Sequence, residues 1–284
     1  MKISKAVITA AGKTQRTLPL QRLVDKDGEP RTALSIIVAE ALSAGIDEVC
    51  VVVHPGDEPA YRESLKGTAA RTSFVAQELP KGYGHALFCA RSFVGDEPFL
   101  HLISDHLYLS HEGETCAAQL VRIAVRESSS VSAVQATRES QLSAYGAIGG
   151  IRLSGSPDLY VVEMVLEKPS PTEAEQLLHV PGLRAGHYLC FFGMHVLKPS
   201  IMSLLEDEIG AAAPGQPVSL SHALARLSTV ERYLAFEIRG VRHDIGDKYG
   251  LLIAQLALAF AGRDRDFVQT RLLELLLPRE RGRG

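Results

Sequence analysis

The chain has 284 residues, 46% of them hydrophobic and 22% charged, with a formal net charge of −3. At ~150 residues per domain this is one large domain or two small ones with ample material for a core, and disorder or a low-complexity fibre does not fit such a composition. Lys and Arg are scattered rather than massed, so no positive field of the kind that gathers nucleic acid is expected.

In chain order, KAVITAA (5–11) is an apolar run rich in β-branched residues and is read as a strand. ALSIIVAEALSAG (33–45) follows with apolar positions at helical spacing and Gly45 suited to its C-terminal end. EVCVVVHP (48–55), a polar helix near 57–65, TSFVAQ (72–77), a helix at HALFCARSF (85–93) and the run PFLHLISDHLYL (98–109) continue the alternation of strand and helix. That order, with continuous apolar strands, predicts a doubly wound α/β domain on a mixed, mostly parallel sheet. Beyond it lie closely spaced strand-like segments at 130–137, 145–153, 159–169 and 188–197, and helices near 199–206 and 219–227. No Pro/Gly/Ser-rich linker intervenes, so the later strands are expected to extend the same sheet. LLIAQLALAFAG (251–262) and FVQTRLLELLL (267–277) read as two C-terminal helices, a candidate contact for a homo-oligomer, and RERGRG (279–284) as a solvated tail.

The four cysteines form no Cys-x-x-Cys pair and are read as buried apolar residues of a reducing, cytoplasmic setting, without zinc or disulfides. No apolar run reaches the ~20 residues of a membrane span, and the N-terminus leads directly into a strand.

Ligands of a parallel sheet lie beyond the carboxyl ends of its strands, which directs attention to the loop after the first strand. GKT at 12–14 looks like the end of a phosphate-binding P-loop, but Val7 stands where the first glycine is needed. The dinucleotide fingerprint fails as well, because Thr14 and Thr17 occupy glycine positions. What remains is Ala11-Gly12, then Arg16, Leu18-Pro19 and Lys26. Taken alone, the loop fits a generic strand-loop-helix unit equally well.

This spacing resembles the A-G-x-G-T-R-x-L-P…P-K signature of the sugar-phosphate nucleotidyltransferases, most closely the bacterial UTP:glucose-1-phosphate uridylyltransferases. The departures are Thr14, Gln15 and Asp25, which stand in place of a glycine, a threonine and a proline. Further segments follow in the family's order across nearly the whole chain: QELPKGYGHA (77–86) running on to Asp105, Tyr145-Gly146, Glu167-Lys168-Pro169 and HDIGDKYG (243–250).

The resemblance implies a Rossmann-like nucleotidyltransferase domain over 1–250, its nucleotide half at 1–110 and its sugar half at 130–250, followed by C-terminal helices at 251–278. It implies transfer of a nucleotidyl group from an NTP, UTP foremost, to a sugar 1-phosphate, glucose 1-phosphate foremost, with release of pyrophosphate. Arg16 and Lys26 become catalytic cations, and Ala11, Gly12, Gln77 and Gly82 hold the nucleotide. Gly146, Glu167 and Lys168 hold the sugar phosphate, while Asp105 and Asp244 ligate Mg²⁺. His106 follows Asp105 where a second acid is common, and Tyr188 stands where asparagine is frequent. His85 and His243 are read as hydrogen-bonded structural residues and Asp247 as the cap of the next helix. The alternative, favoured by Thr14, Gln15 and His106, is a non-catalytic binder of nucleotide sugars with a regulatory or scaffolding part.

Overall fold

Strands buried on both faces need apolar side chains at every position, and the first half of the chain supplies them. The computed structural model describes residues 1–13 and 16–276; Thr14, Gln15, the tail at 279–284 and the end of the helix expected at 267–277 lie outside the described residues. β1 (Lys5–Ala10) leads through a 3₁₀ turn at Leu18–Leu20 to a hairpin of β2 (Arg22–Val24) and β3 (Pro30–Thr32). Then come α1 (Ala33–Ser43), β4 (Glu48–Val53), α2 (Glu58–Ser64), β5 (Arg71–Ala76), α3 (Tyr83–Phe88), α4 (Arg91–Val94), β6 (Phe99–Ile103) and β7 (His106–Ser110). The second half consists of α5 (Cys116–Glu127), β8 (Ser130–Arg138), β9 (Gly146–Arg152), β10 (Leu159–Glu167), α6 (Pro171–Leu177) and β11 (His187–Leu197). It closes with α7 (Ser200–Ala211), α8 (Leu220–Val230), β12 (Tyr233–Glu237), β13 (Gly240–Asp244), α9 (Gly250–Ala261) and α10 (Arg265–Leu276).

Nine strands share one sheet in the order β5-β4-β1-β6-β11-β8-β12-β10-β9, so both halves extend it as expected. β5, β4, β1 and β6 run parallel, as do β8 and β12. β11 is antiparallel to β6 and β8, and β10 to β12 and β9. Side chains alternate across a strand. Along β1, Ala6, Ile8 and Ala10 therefore enter one core layer with Leu34 and Ile37 of α1 and Leu120 of α5, while Val7 enters the other with Leu87 of α3, Leu205 of α7 and Leu224 of α8. Helices cover both faces.

Local chemistry sets the ends of α1: Thr32 Oγ1 accepts from Ser35 N at 3.2 Å, and Gly45 past the last turn takes φ +81°. Two expected elements differ from the sequence reading, and several others had no expectation. The helix expected at 85–93 is two short ones, α3 and α4. The run 98–109 breaks at Ser104-Asp105, and β7 leaves the main sheet to pair with β13, His106 opposite Asp244. α5, α6, β12 and the ribbon strand β13 carry no expectation from the sequence. α5 has a legible signal in Ala117, Leu120, Val121 and Ala124, buried at helical spacing.

The ribbon and the β2–β3 hairpin form the platform for α9, which buries Gly250, Ala254 and Leu258. Gln255 ties α9 to the hairpin, its Oε1 accepting from Val24 N at 2.8 Å and its Nε2 donating to Val24 O at 3.0 Å. No described helix is long and apolar enough to cross a membrane.

Candidate functional site

A cleft of about 510 Å³ opens beyond the carboxyl ends of β1 and β6. Ala11, Gly12, Gln77, Gly82, Asp105, Gly146, Glu167, Lys168 and Asp244 line it, together with Lys13, His106, Tyr145 and Ser221. Residues from the two ends of the chain meet here because β13 pairs with β7 next to the tip of β6.

One wall is the turn after β5. Gly82 has φ +100°, and a Cβ on it would lie 2.7 Å from both the backbone N and O of Val218, so glycine is required there twice over. Gln77 is buried and spends its amide N–H groups on Gly82 O and His85 Nδ1, each at 3.0 Å. Its carbonyl oxygen has no hydrogen-bond partner among the described residues, and Gln77 lines the cleft. Burial, followed by the charge of Lys81, keeps His85 below the usual histidine range, which suits the acceptor role at Nδ1. His85 is thus a hydrogen-bonded structural residue.

The opposite wall comes from β9, β10 and α8. Glu167 Oε2 accepts from Ser221 Oγ at 2.5 Å, and a Cβ on Gly146 would lie 3.0 Å from both of those oxygens. Lys168 takes φ +48°, uncommon for a residue with a side chain, and its N–H donates to Tyr145 O at 3.2 Å. Strain of this kind collects at binding sites because neighbours over-determine it. The Arg242 guanidinium lies 3.9 Å from the Tyr145 ring centroid and supports the turn from behind. Tyr188 is turned away, packed against the small cluster around Leu142 rather than lining the cleft.

Between the walls, Asp105, His106 and Asp244 each present a donor atom, all within 4.8 Å of one another. His106 Nδ1 is 2.9 Å from Asp105 Oδ1, and Asp244 Oδ1 accepts from Gly246 N at 2.8 Å. Burial holds Asp244 above the ordinary carboxylate range; His106 and the Gly246 N–H oppose it, while Asp105 and Asp247 reinforce it. Two carboxylates converging on one point, with an imidazole beside them, fit a divalent cation. Asp247 is not the cap expected of it: Tyr249 occupies the N-cap of α9, no side chain caps that end, and Asp247 only accepts from Gly250 N through its carbonyl at 2.8 Å.

Arg16 and Lys26 are not brought into the cleft. Arg16 Nη1 lies 2.9 Å from His54 Nδ1 and its Nε 3.5 Å from Asp57 Oδ2, while its carbonyl accepts from Tyr61 OH at 2.5 Å. Lys26 sits exposed in the β2–β3 turn, which Asp25 closes by accepting from Asp27 N and Glu29 N at 2.9 Å. Its charge acts on the half-buried Glu40 carboxyl of α1. Asp25 stands where the family pattern has proline, and an aspartate that bonds the backbone two and four residues on makes a turn. Lys13 and Ser221 were not singled out in the sequence. Lys13 is flagged only by adjacency to Gly12, and Ser221 by nothing local.

Under the cleft, His101 and His195 lie 5.7 Å apart between ring centroids, both fully or nearly buried. His195 Nδ1 meets Ser132 Oγ at 2.5 Å, and that hydroxyl meets Tyr233 OH. Burial pushes His195 from 6.5 down to about 3. Between those values the unfolded chain binds a proton that the folded one does not, so stability falls as pH falls, by up to about 1.4 kcal/mol per pH unit. The stability advantage of wild type over His195→Gln should therefore shrink steadily below about pH 6.5. Urea melts of both proteins across that range check it; a constant difference would mean that His195 does not titrate on unfolding.

A family model described as Nucleotidyl transferase matches residues 5–259. The UTP–glucose-1-phosphate uridylyltransferase of Streptococcus pneumoniae serotype 4 is 31% identical over an alignment 278 positions long that covers 88% of this chain and 88% of that protein. That of Bacillus subtilis strain 168 is 29% identical over 307 aligned positions, gaps included, covering 98% and 99% of the two chains. Among solved structures, a UDP-glucose pyrophosphorylase from Acinetobacter baumannii matches with a TM-score of 0.76 at 23% identity, over 97% of this chain and 100% of its own. A UDP-glucose pyrophosphorylase complexed with UDP-glucose matches at 0.74 and 22%, over 90% and 98%. At such identities the structural likeness is one of fold.

Proposed function

The chain belongs to the nucleotidyl transferase family, and from that premise we propose that it transfers a uridylyl group from UTP to glucose 1-phosphate, releasing pyrophosphate and UDP-glucose. The observation that carries this reading is the meeting, in one cleft, of the Gln77–Gly82 wall, the Glu167–Lys168 wall and the Asp105–Asp244 pair.

A phosphate oxygen of the sugar 1-phosphate attacks the α-phosphorus of the nucleotide, and the bond to pyrophosphate breaks. Both reactants are anions; two unit charges ~4 Å apart at an effective dielectric of ~20 repel by about 4 kcal/mol. That repulsion alone is worth nearly three powers of ten in rate. Neutralisation is accordingly the main task, and no side-chain nucleophile is needed because the phosphate monoester is one already. Gln77, with its N–H groups occupied, offers its carbonyl oxygen to a donor on the base edge, such as the N–H of uracil. Glu167, aligned by Ser221, accepts from sugar hydroxyls, and Lys168 meets the sugar phosphate. Ala11 and Gly12 bring loop backbone to the nucleotide. Asp105 and Asp244 would hold Mg²⁺, whose charge, when bound, offsets that of the approaching phosphates. Direct transfer of this kind inverts configuration at phosphorus. A cytoplasmic setting goes with these substrates.

Pyrophosphate release from a panel of NTPs and sugar 1-phosphates with Mg²⁺ tests the proposal. UTP with glucose 1-phosphate should give the highest kcat/KM; no release from any pair would refute it. One observation favours the second reading, a non-catalytic binder: Arg16 and Lys26 stand outside the cleft. Binding of UDP-glucose without turnover would establish that reading instead.

Ser221 positions Glu167 without reaching the reacting atoms. Ser221→Ala should raise the KM for glucose 1-phosphate by about tenfold, the worth of a hydrogen bond to a charged group, with kcat changed much less. Ser221→Thr should restore most of it. A kcat loss with unchanged KM would contradict the positioning role.

A further inference from the structure

The cleft lining holds three carboxylates, Asp105, Glu167 and Asp244, against two lysines, Lys13 and Lys168. Before any substrate enters, its fixed charge is negative. Each lysine therefore carries half of the lining's cationic charge among the described residues. Lys168 follows Glu167 at the end of β10, on the sugar wall. Lys13 follows Gly12 in the loop after β1, on the other side, exposed and with no hydrogen-bond or ion-pair partner among the described residues.

The two cations that the loop pattern designates have other employment. Arg16 is held at three points, by His54, Asp57 and Tyr61, at the end of β4 and the start of α2. Tyr61 is fully buried, so the anchor on the Arg16 carbonyl is rigid. Lys26 is carried away by its turn. Asp25 Oδ1 takes two backbone N–H groups, Asp25 Oδ2 pairs with Arg31 Nε at 2.5 Å, Gly28 supplies φ +77°, and Lys26 O accepts from Arg263 N at 3.0 Å. Moving Lys26 into the cleft would break the hairpin together with its link to the α9–α10 connection.

We propose that Lys13 is the residue that meets the nucleotide's triphosphate in this chain, taking the part that the loop pattern gives to Arg16 and Lys26. The inference rests on the proposed uridylyl transfer and narrows it to one side chain. A flexible ammonium with no partner to give up among the described residues can follow the β- and γ-phosphates as pyrophosphate departs. The loop also has less glycine than its pattern, since Thr14 replaces the second one. Fewer backbone N–H groups can approach phosphate closely in such a loop, which leaves more of the charge to a side chain.

The test uses the full chain with UTP, glucose 1-phosphate and Mg²⁺, and measures turnover together with calorimetric binding of UTP. Lys13→Ala should lower kcat/KM for UTP by about a hundredfold and weaken UTP binding, as loss of a charge-assisted contact does. The KM for glucose 1-phosphate should stay within about threefold, because Lys168 serves that phosphate. Lys13→Arg should recover most of the loss. Lys13→Ala within about threefold of wild type in both measurements would overturn the inference and leave the reaction standing. A larger loss in Lys26→Ala than in Lys13→Ala would overturn it too, returning the role to the hairpin. A wild-type chain that neither binds UTP nor turns over would sink the proposed reaction itself, and this inference with it.

Discussion

Asp244→Asn should lower turnover by about a thousandfold while the thermal midpoint stays within a few degrees of wild type. The substitution keeps the shape and keeps an oxygen to accept from Gly246 N, so the turn after β13 survives. On the proposed mechanism, what disappears is one of the two carboxylates that would hold Mg²⁺. With Asp105 and His106 alone the cation would be held more weakly, and less of the ~4 kcal/mol of repulsion between the phosphates would be offset. Stability should not suffer, because burial already holds the Asp244 carboxyl above its ordinary range, reinforced by Asp105 and Asp247. A neutral amide removes that tension. Steady-state pyrophosphate release and a thermal scan on the same preparation separate the two effects. Turnover within tenfold of wild type would take Asp244 out of the site, and a large drop in midpoint would make its role one of folding.

Gly250→Ala is the second large effect, and it strikes fold and site together. Gly250 is buried at the start of α9, its N–H donating to Asp247 O at 2.8 Å. A Cβ there would collide with the carbonyl oxygen of Asp244 and lie 3.0 Å from its carbonyl carbon, a backbone neighbour that has no rotamer to change. Relief requires α9 to back away from the turn that carries Asp244. Overpacking of that kind costs about 3 kcal/mol, a fall in midpoint of roughly 6–12 °C for a chain of this size. Activity should fall with it, since Asp244 moves with the strain. Gly210→Ala, in α7 with nothing within 4 Å of the added Cβ, should be neutral or slightly stabilising by comparison. If the two alanine variants melt alike, the packing of α9 against the Asp244 turn is not what Gly250 is for.

The parallel core was legible because its signals are local. β1 and β4 are nearly continuous apolar runs, and such runs are what a strand covered on both faces requires. Gly45 marks the end of α1 by the same kind of rule. The residues lining both walls of the cleft were legible only through the resemblance of their segments to the family's motifs. Gln77 and Gly82 lie five positions apart, and Glu167 and Lys168 are neighbours, so each motif is a short segment that enters the cleft as a unit. Pairings across long separations were not. Ser221 meets Glu167 across 54 positions, with no pattern in either segment to announce the contact.

The sequence by itself determined the doubly wound framework and the end of α1, since those depend on side-chain periodicity and on turn chemistry within a few residues, and the short segments that face the cleft were read from their resemblance to the family's motifs. Only the tertiary structure decided that the residues after Asp105 form a separate strand, β7, that pairs with β13, because apolar residues continue through both strands and cannot say which partner's backbone will take them. It decided likewise that Lys26 lies outside the cleft while Lys13 lines it, because where a cation ends up follows from where its backbone is tied down. Here that is set by the side-chain bonds of Asp25 and by the anchoring of Arg16 through Tyr61.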